Sequence, residues 1–255
     1  ASLFTLSDTA VLSLGFGVQM YLDFSGYSRV AIGSAAFFGI DLVENFNHPF
    51  LATSPADFWN RWHISLSRWI RDYVFLRIVG RRRSLGILVV AAMTAMLLCG
   101  AWHGFTLKFI VWGLFHGSVV ALYHVYRRTF GDRLQGWADR RGIAAAVMNV
   151  AGWGLTTLVL LPGWALFRTP DVRTAVLFFQ SVARVHGRVV PGQIYAHVLV
   201  LFFAIVAIPL VGRAKRVTTL LRPLAPYGRS LAVGALLALV LLYTGTSNSF
   251  VYFQF

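Results

Sequence analysis

Long uncharged apolar runs, separated by clusters of arginine, dominate the pattern along this chain. Leu85–Trp102 holds no charged residue, Phe105–Tyr126 holds only Lys108, and Ile143–Phe167, Ile194–Gly212 and Ser230–Thr246 are again uncharged. A helix that crosses the hydrocarbon core of a bilayer needs about 20 mostly apolar residues. These five runs therefore read as spans, with Pro162 expected to kink the third. Two shorter stretches read as partial helices. Thr9–Leu22 stops at Asp23, and Val30–Ile40 is short and rich in Gly and Ala. No internal repeat or low-complexity tract interrupts the pattern. The fold class it predicts is all-α: a polytopic membrane helical bundle.

The segment Asp57–Arg77 has a different rhythm. At 100° per residue, Asp57, Arg61, Arg68 and Asp72 share one stripe. Asp57–Arg61 and Arg68–Asp72 are opposite charges four residues apart, a spacing that supports a helix. The far face carries Trp59, Trp62, Leu66, Trp69, Ile70 and Tyr73, with Ile64 as an exception on the polar side. His63 falls at the edge of the apolar face, next to Trp59 and Ile70. Ser54-Pro55 suits a helix start, Ser as the cap and Pro at the first helical position. A Trp-rich amphipathic helix of this kind lies in the membrane interface or packs on the bundle. Before it, Glu44–Phe50 contains Asn45, Asn47 and Pro49, which argue against a helix. Non-helical backbone at membrane depth is tolerated where protein buries it or where it lines a cavity. The whole of 1–255 reads as one membrane region with amphipathic or re-entrant helices.

Composition agrees. Hydrophobic residues make up 57% of 255 and charged residues 13%; a soluble domain is nearer a quarter charged. The net charge is +14, from 23 Lys+Arg against 9 Asp+Glu. On a soluble protein that excess would suggest nucleic acid. Here the basic residues fall between apolar runs, so they read as topology signals and no nucleic-acid partner is expected. Arg77, Arg81, Arg82 and Arg83 precede one span; Arg127, Arg128, Arg133, Arg140 and Arg141 follow the next, so both clusters lie on one side of a hairpin. The Gly212–Ser230 loop, also basic, returns to that side, which the positive-inside rule makes cytoplasmic. The Arg168–Arg188 loop and the aromatic Phe250–Phe255 then face outward. The single Cys99 excludes an intramolecular disulfide. The opening Ala-Ser-Leu-Phe, with no Met and no charged leader, is expected to follow a missing upstream part.

An ionisable residue at membrane depth is a functional-site hypothesis by default. His103, in Trp102-His103-Gly104, is the leading candidate. A neutral imidazole can take a proton from a hydroxyl and return it to a leaving group near pH 7. The competing reading is a structural histidine at a helix end, and position alone weighs the two about equally. Gly100 and Gly104 bracket it and admit backbone or ligand closely, which tilts the balance toward function. His63, between tryptophans, reads first as a packed core residue and second as a residue that orients His103 or binds an oxyanion. His116 and His124 read as structural or interfacial. Cys99 lies one turn before His103, yet a buried free Cys is usually an apolar filler. His63, His103 and His116 have no recognisable metal-ligand spacing, and no metal site is expected. Asp23 is read as pairing with Arg29 or lining a polar cavity. There is no phosphate-binding Gly-rich loop and no Gly-x-Ser-x-Gly elbow.

Several stretches together resemble the membrane-bound O-acyltransferase family, in its bacterial branch of alginate O-acetylation and teichoic-acid D-alanylation. They are Asp23-Phe24-Ser25-Gly26-Tyr27-Ser28, Glu44-Asn45-Phe46-Asn47, Phe58-Trp59-Asn60-Arg61-Trp62-His63-Ile64-Ser65-Leu66-Ser67, Arg71-Asp72-Tyr73 and Trp102-His103-Gly104. The match is dense over residues 20 to 120 and loose elsewhere. The resemblance implies that His103 is the family's essential buried histidine and His63 its second histidine. It implies a tunnel linking a cytoplasmic acyl donor to an external acceptor. Catalysis would then fall to His103 and His63, with Asn60, Asn45, Asn47, Trp102 and Asp23 as substrate or oxyanion candidates. The resemblance further implies no bound cofactor, and an acyl thioester as substrate, acetyl-CoA or an acyl carrier protein. Transfer is expected toward an extracytoplasmic polysaccharide or partner acyltransferase, from a multi-pass protein in lipid of the bacterial cytoplasmic membrane. Acetyl is the leading acyl group and D-alanine the alternative. A non-catalytic transporter or channel, or a scaffold of a polysaccharide export complex, is the competing class; the absence of inverted repeats weighs against the transporter. The chain departs from the family in that His48 stands where Arg or Lys is common and Val79-Gly80 replaces Gly-Gly. It also begins where the core motifs begin, so several N-terminal helices are expected to be missing.

Overall fold

The computed structural model describes residues 4–81, 84–131, 133–134, 136, 142–180 and 190–213. Every regular element among them is helical. In chain order these are α1 (Leu6–Ala36), a 3₁₀ turn (Pro49–Leu51), α2 (Pro55–Arg61), α3 (Ile64–Ile70), a π-helical turn (Arg71–Phe75), α4 (Leu76–Val79), α5 (Leu85–His103), α6 (Leu107–Tyr126) with a π-helical extension (Arg127–Gly131), α7 (Gly142–Arg168), α8 (Val172–Gln180) and α9 (Gly192–Arg213). The chain divides into two compact units, Ala1–Phe202 and Phe203–Phe255. The first holds all of the chemistry discussed below; of the second, only the last turns of α9 are described.

The protein is an all-α membrane helical bundle. Among the described residues, four helices are long and apolar enough to cross a membrane: Leu85–His103, Leu107–Gly131, Gly142–Arg168 and Gly192–Leu210. Their outward faces are apolar, as lipid contact demands: Leu155 and Leu158 on α7 are 65% and 63% exposed. The fifth expected span, Ser230–Thr246, and the aromatic Phe250–Phe255 lie outside the described residues.

The two partial helices, Thr9–Leu22 and Val30–Ile40, are one. Helix α1 runs unbroken from Leu6 to Ala36, through Asp23 and Gly26. A charge stops a membrane span but does not break a helix, whose backbone bonds are satisfied internally. A capping box opens α1: the Thr5 hydroxyl accepts from Asp8 N, and Asp8 Oδ2 accepts from Thr5 N. The fully buried Asp8 also accepts from Val190 N at 3.2 Å and Tyr195 Oη at 2.5 Å, tying the start of α1 to the start of α9.

Helices α5 and α6 form the hairpin read from the charge pattern. They pack backbone to backbone. A Cβ on Gly100 would strike the Phe109 carbonyl, and one on Gly113 would come within 2.6 Å of the Met96 carbonyl. Small residues at such points let membrane helices approach closely where apolar burial gives no gain over lipid. Gly100 therefore admits a neighbouring backbone, not a ligand. Lys108, at the start of α6, donates to the Phe167 carbonyl at 3.4 Å, near the C-terminal end of α7, where a cation is favoured.

Asp57–Arg77 is the main departure from the expected pattern. It is not one helix. Helix α2 ends at Arg61, Trp62 is extended, and His63 takes the left-handed conformation at φ 44°, ψ 56° before α3 begins. The break resets the helical phase, so Ile64, out of place on a continuous wheel, is buried at 7% exposure. Trp69 and Tyr73, expected inside, are exposed, and their rings lie together. Asp72 pairs with its neighbour Arg71 at 2.7 Å, not Arg68, while the expected Asp57–Arg61 pair is present at 2.7 Å. Arg29 faces Glu44 at 3.8 Å instead of Asp23. Ser54 caps α2 as read, accepting from Asp57 N, with Pro55 in the first turn.

Candidate active site

His103 is the last residue of α5, and Gly104 caps the helix at φ 156°, where a side chain would be strained. The imidazole stands in a box of aromatic rings. Centroid distances are 4.9 Å to Trp102, 5.0 Å to Phe167, 5.5 Å to Trp112 and 5.8 Å to Phe109, mostly edge to face. Phe109 and Trp112 come from α6, Phe167 from α7. The box is thus built by three transmembrane helices, and three of its four walls are almost fully buried.

His63 reaches the same place from the loop between α2 and α3. Its ring lies 5.8 Å from Trp102 and 4.7 Å from Phe24 of α1. Trp102 thus touches both imidazoles, which are within electrostatic reach of one another. Burial pushes the His63 imidazole down to about 4, partly offset by a backbone hydrogen bond. It is neutral near pH 7, able to donate from one ring nitrogen and accept at the other.

The left-handed turn at His63 would be costly without support. The Glu44–Phe50 loop supplies it. The Asn45 carbonyl accepts from Ile64 N at 2.9 Å, and Asn45 Oδ1 accepts from Ser65 N at 3.2 Å and Ser65 Oγ at 2.6 Å. Asn45 Nδ2 donates to Ser28 Oγ of α1 at 3.3 Å. Asn47 N donates to the Arg61 carbonyl at 3.0 Å, and Arg61 reaches back to the Asn47 carbonyl. Ser65 Oγ lies 3.4 Å from His63 Nδ1. A single amide therefore holds both the backbone turn and the hydroxyl beside the imidazole.

A cavity of about 730 Å³ opens against His63, lined also by Ser65, Trp69, Leu98, Trp102 and Phe105 among others. His63 and the half-exposed Trp102 form part of its wall, and His103 stands behind Trp102. Of the other sequence candidates, Asn60 is exposed on α2, and Asp23 is half-buried on α1 beside Phe24. The side chain of Asn45 is engaged with Ser65 and Ser28, while Asn47 contributes through its backbone. Among the described residues, no three His, Cys, Asp or Glu side chains are grouped to share a metal ion. Ser28 and Ser65 lie inside the motifs that resemble the family but were given no role there, and Phe109, Trp112 and Phe167 were not read as site residues; nothing in local spacing connects Ser28 to His63 or Phe167 to His103.

A model of the membrane-bound O-acyltransferase family matches residues 8–162, which include both histidines and the loop between them. The chain belongs to that family. Within it, the chain is 35% identical to the protein named Probable alginate O-acetylase AlgI of Pseudomonas aeruginosa, over 70% of this chain and 32% of the relative. It is 32% identical to the Peptidoglycan O-acetyltransferase of Helicobacter pylori, over 69% of this chain and 31% of the relative. Against the Teichoic acid D-alanyltransferase of Bacillus subtilis it is 36% identical, over 45% and 31%. The chain spans about a third of the length of these curated relatives. Among O-acyltransferases of this family, then, the similarity reaches both acetyl- and D-alanyl-transferring proteins.

Proposed function

We propose that this chain carries the catalytic core of an enzyme that transfers an acyl group, acetyl first, from a thioester to a hydroxyl of an extracytoplasmic polymer or of a partner acyltransferase. The observation that carries this reading is that His103 and His63 both meet the Trp102 ring, at the end of a membrane-spanning helix and beside a cavity. His103 takes the proton of the acceptor hydroxyl as its oxygen attacks the thioester carbonyl. The resulting oxyanion is stabilised by neutral donors, with a His63 ring N–H lining the cavity as one of them. Collapse expels the thiolate, and His103 returns the proton to sulfur. Atoms and charge balance with no bound cofactor. The aromatic box suits this chemistry, because a dry environment strengthens each polar contact to the reacting carbonyl.

Two cavities fit two sides of a membrane. The one at His63 and Trp102 lies at the end of α5 that the charge pattern puts outside. A second, about 620 Å³, lies between α6 and α7 at their other ends, lined by Val119, Tyr123, Tyr126, Arg127, Asn149 and Leu155 among others. Its position and its arginine suit an anionic thioester carrier, acetyl-CoA or an acyl carrier protein, arriving from the cytoplasm. The bacterial cytoplasmic membrane is the corresponding location. D-Alanine is the second acyl group, favoured by the similarity to the teichoic acid D-alanyltransferase.

The test is complementation of a deletion strain with the intact protein and its His103→Ala variant. Mild base then releases acyl groups from purified polymer. Restored acetyl release by the native protein alone supports the reading. Release of D-alanine instead moves the acyl group to the second alternative, and unchanged polymer in the deletion strain overturns acyl transfer.

A further inference from the structure

Three buried ring nitrogens belong to side chains that pack against one another next to the aromatic box of His103. Trp59 Nε1, Trp112 Nε1 and His116 Nδ1 have no hydrogen-bond partner among the described residues. Orphaned buried polar groups are rare in folded proteins. Here three occur together. Their rings touch pairwise, with centroids 5.8 Å apart for Trp59–Trp112, 5.1 Å for Trp59–His116 and 4.6 Å for Trp112–His116. His116 and Trp112 are each 3% exposed. They sit one turn apart on α6, and Trp59 comes from α2. A fourth wall is Gly163 of α7, where any Cβ would overlap His116 Nε2. A glycine therefore leaves the room that the imidazole occupies.

The hydrogen-bonding capacities of the three groups define a partner. Each indole can only donate, while a neutral imidazole nitrogen can accept. A small molecule that accepts twice and donates once has the capacities that match all three. Water has those capacities, and a polar enclosure with two to four partners is where buried water is held. Trp112 belongs to two environments at once: its ring meets His116 on one side and His103, at 5.5 Å, on the other.

We propose that Trp59, Trp112 and His116 form a buried water site that fixes the Trp112 ring and, through it, the orientation of the His103 imidazole. His116 is then a positioning residue for the reaction at His103. The kinetic half of this inference rests on the acyl-transfer function proposed above; the water site does not.

The test uses the intact protein in detergent micelles, labelled with ¹⁵N at tryptophan and histidine. Indole signals are assigned by Trp59→Phe and Trp112→Phe. In the native protein, the Nε1 protons of Trp59 and Trp112 should both show cross-relaxation to a long-lived water, and both signals should move in His116→Phe. Indole protons without water contact, or signals indifferent to His116→Phe, overturn the site. Kinetics then address positioning. His116→Gln, which keeps a polar atom for the water, should retain turnover within about threefold, whereas His116→Phe should lower kcat about tenfold or more. KM should stay within about twofold, and the pH profile of kcat should shift only in His116→Phe. Equal losses in both variants, or none in either, overturn the positioning role. Should His116→Phe not fold, the water contacts of the native protein decide the site, and His116→Asn beside His116→Gln replaces it in the kinetic comparison. Water contacts in a protein that transfers no acyl group would sink the proposed function while leaving the site standing.

Discussion

The two histidines at Trp102 are held in opposite ways. His103 closes a regular transmembrane helix and is positioned by packing alone: four aromatic rings, glycines at the helix crossing, and a glycine cap. His63 sits in an irregular turn and is positioned by hydrogen bonds, from a loop 18 residues upstream in sequence. Packing of rings fixes a position without a directed polar contact. A network through Asn45 and Ser65 fixes backbone, rotamer and a ring-nitrogen contact together. The same site thus joins a residue in a dry, non-polar setting with a residue in a polar one.

Removing the imidazole of His103 is the strongest way to break the comparison. His103→Ala should lower turnover about 10²–10⁴-fold, or ~3–5 kcal/mol of barrier, with the protein still folded in the membrane. Parallel His124→Ala should be mild, since the rings beside His124 are Phe75 at 5.9 Å and Tyr123 at 6.1 Å, neither of which belongs to the box around His103. Equal small losses in both variants would return His103 to the rank of an ordinary buried histidine.

Next in size is the crossing that positions His103. In Gly113→Leu, backbone that now approaches within van der Waals range must part. Thermal unfolding in detergent should show a loss of up to about 3 kcal/mol, the upper range for overpacking. Native-like stability for this variant would mean that the hairpin is not held by close backbone approach.

At His63, Asn45→Ala removes the support of the turn and leaves Ser65 Oγ and N without their acceptor. A loss of about 1–3 kcal/mol in stability is expected, the range for orphaned part-buried polar groups. Turnover should fall as it does in His63→Ala. Combining the two variants should add little further loss, because they act through one unit; fully additive losses would separate Asn45 from His63.

The smallest effect has the opposite sign. Glycine enters the left-handed region freely, so His63→Gly should gain about 1 kcal/mol of stability from relief of backbone strain, offset in part by lost ring packing, while turnover falls. A variant both less stable and fully active would show that the turn, not the imidazole, is what the site requires.

How much of this was legible beforehand follows from the range of the interactions. The membrane class, four of the apolar helices and the α5–α6 hairpin are written in hydropathy and in the placement of arginine, because lipid selects apolar side chains residue by residue. Ser54 and Pro55 marked the start of α2 for an equally local reason. His103 stood out because an imidazole at the end of an apolar run is unusual wherever it occurs, and the family resemblance of its surrounding motif sharpened that into an acyl-transfer expectation. The turn at His63 was not legible. It depends on Asn45 and Ser28, 18 and 35 residues away in sequence, and a helical wheel drawn through it misplaces Ile64, Trp69 and Tyr73 together. The pairing of Asp72 with Arg71 was hidden behind the same break. Likewise, Phe109, Trp112 and Phe167 became walls of one box only when three helices packed together. The sequence by itself determined which segments belong in lipid and which histidines are costly there, since transfer from water is a property of single residues and short runs. Only the tertiary structure decided that His63 and His103 share one tryptophan, because that meeting depends on non-local hydrogen bonds and on glycines whose missing side chains matter only against a neighbouring helix.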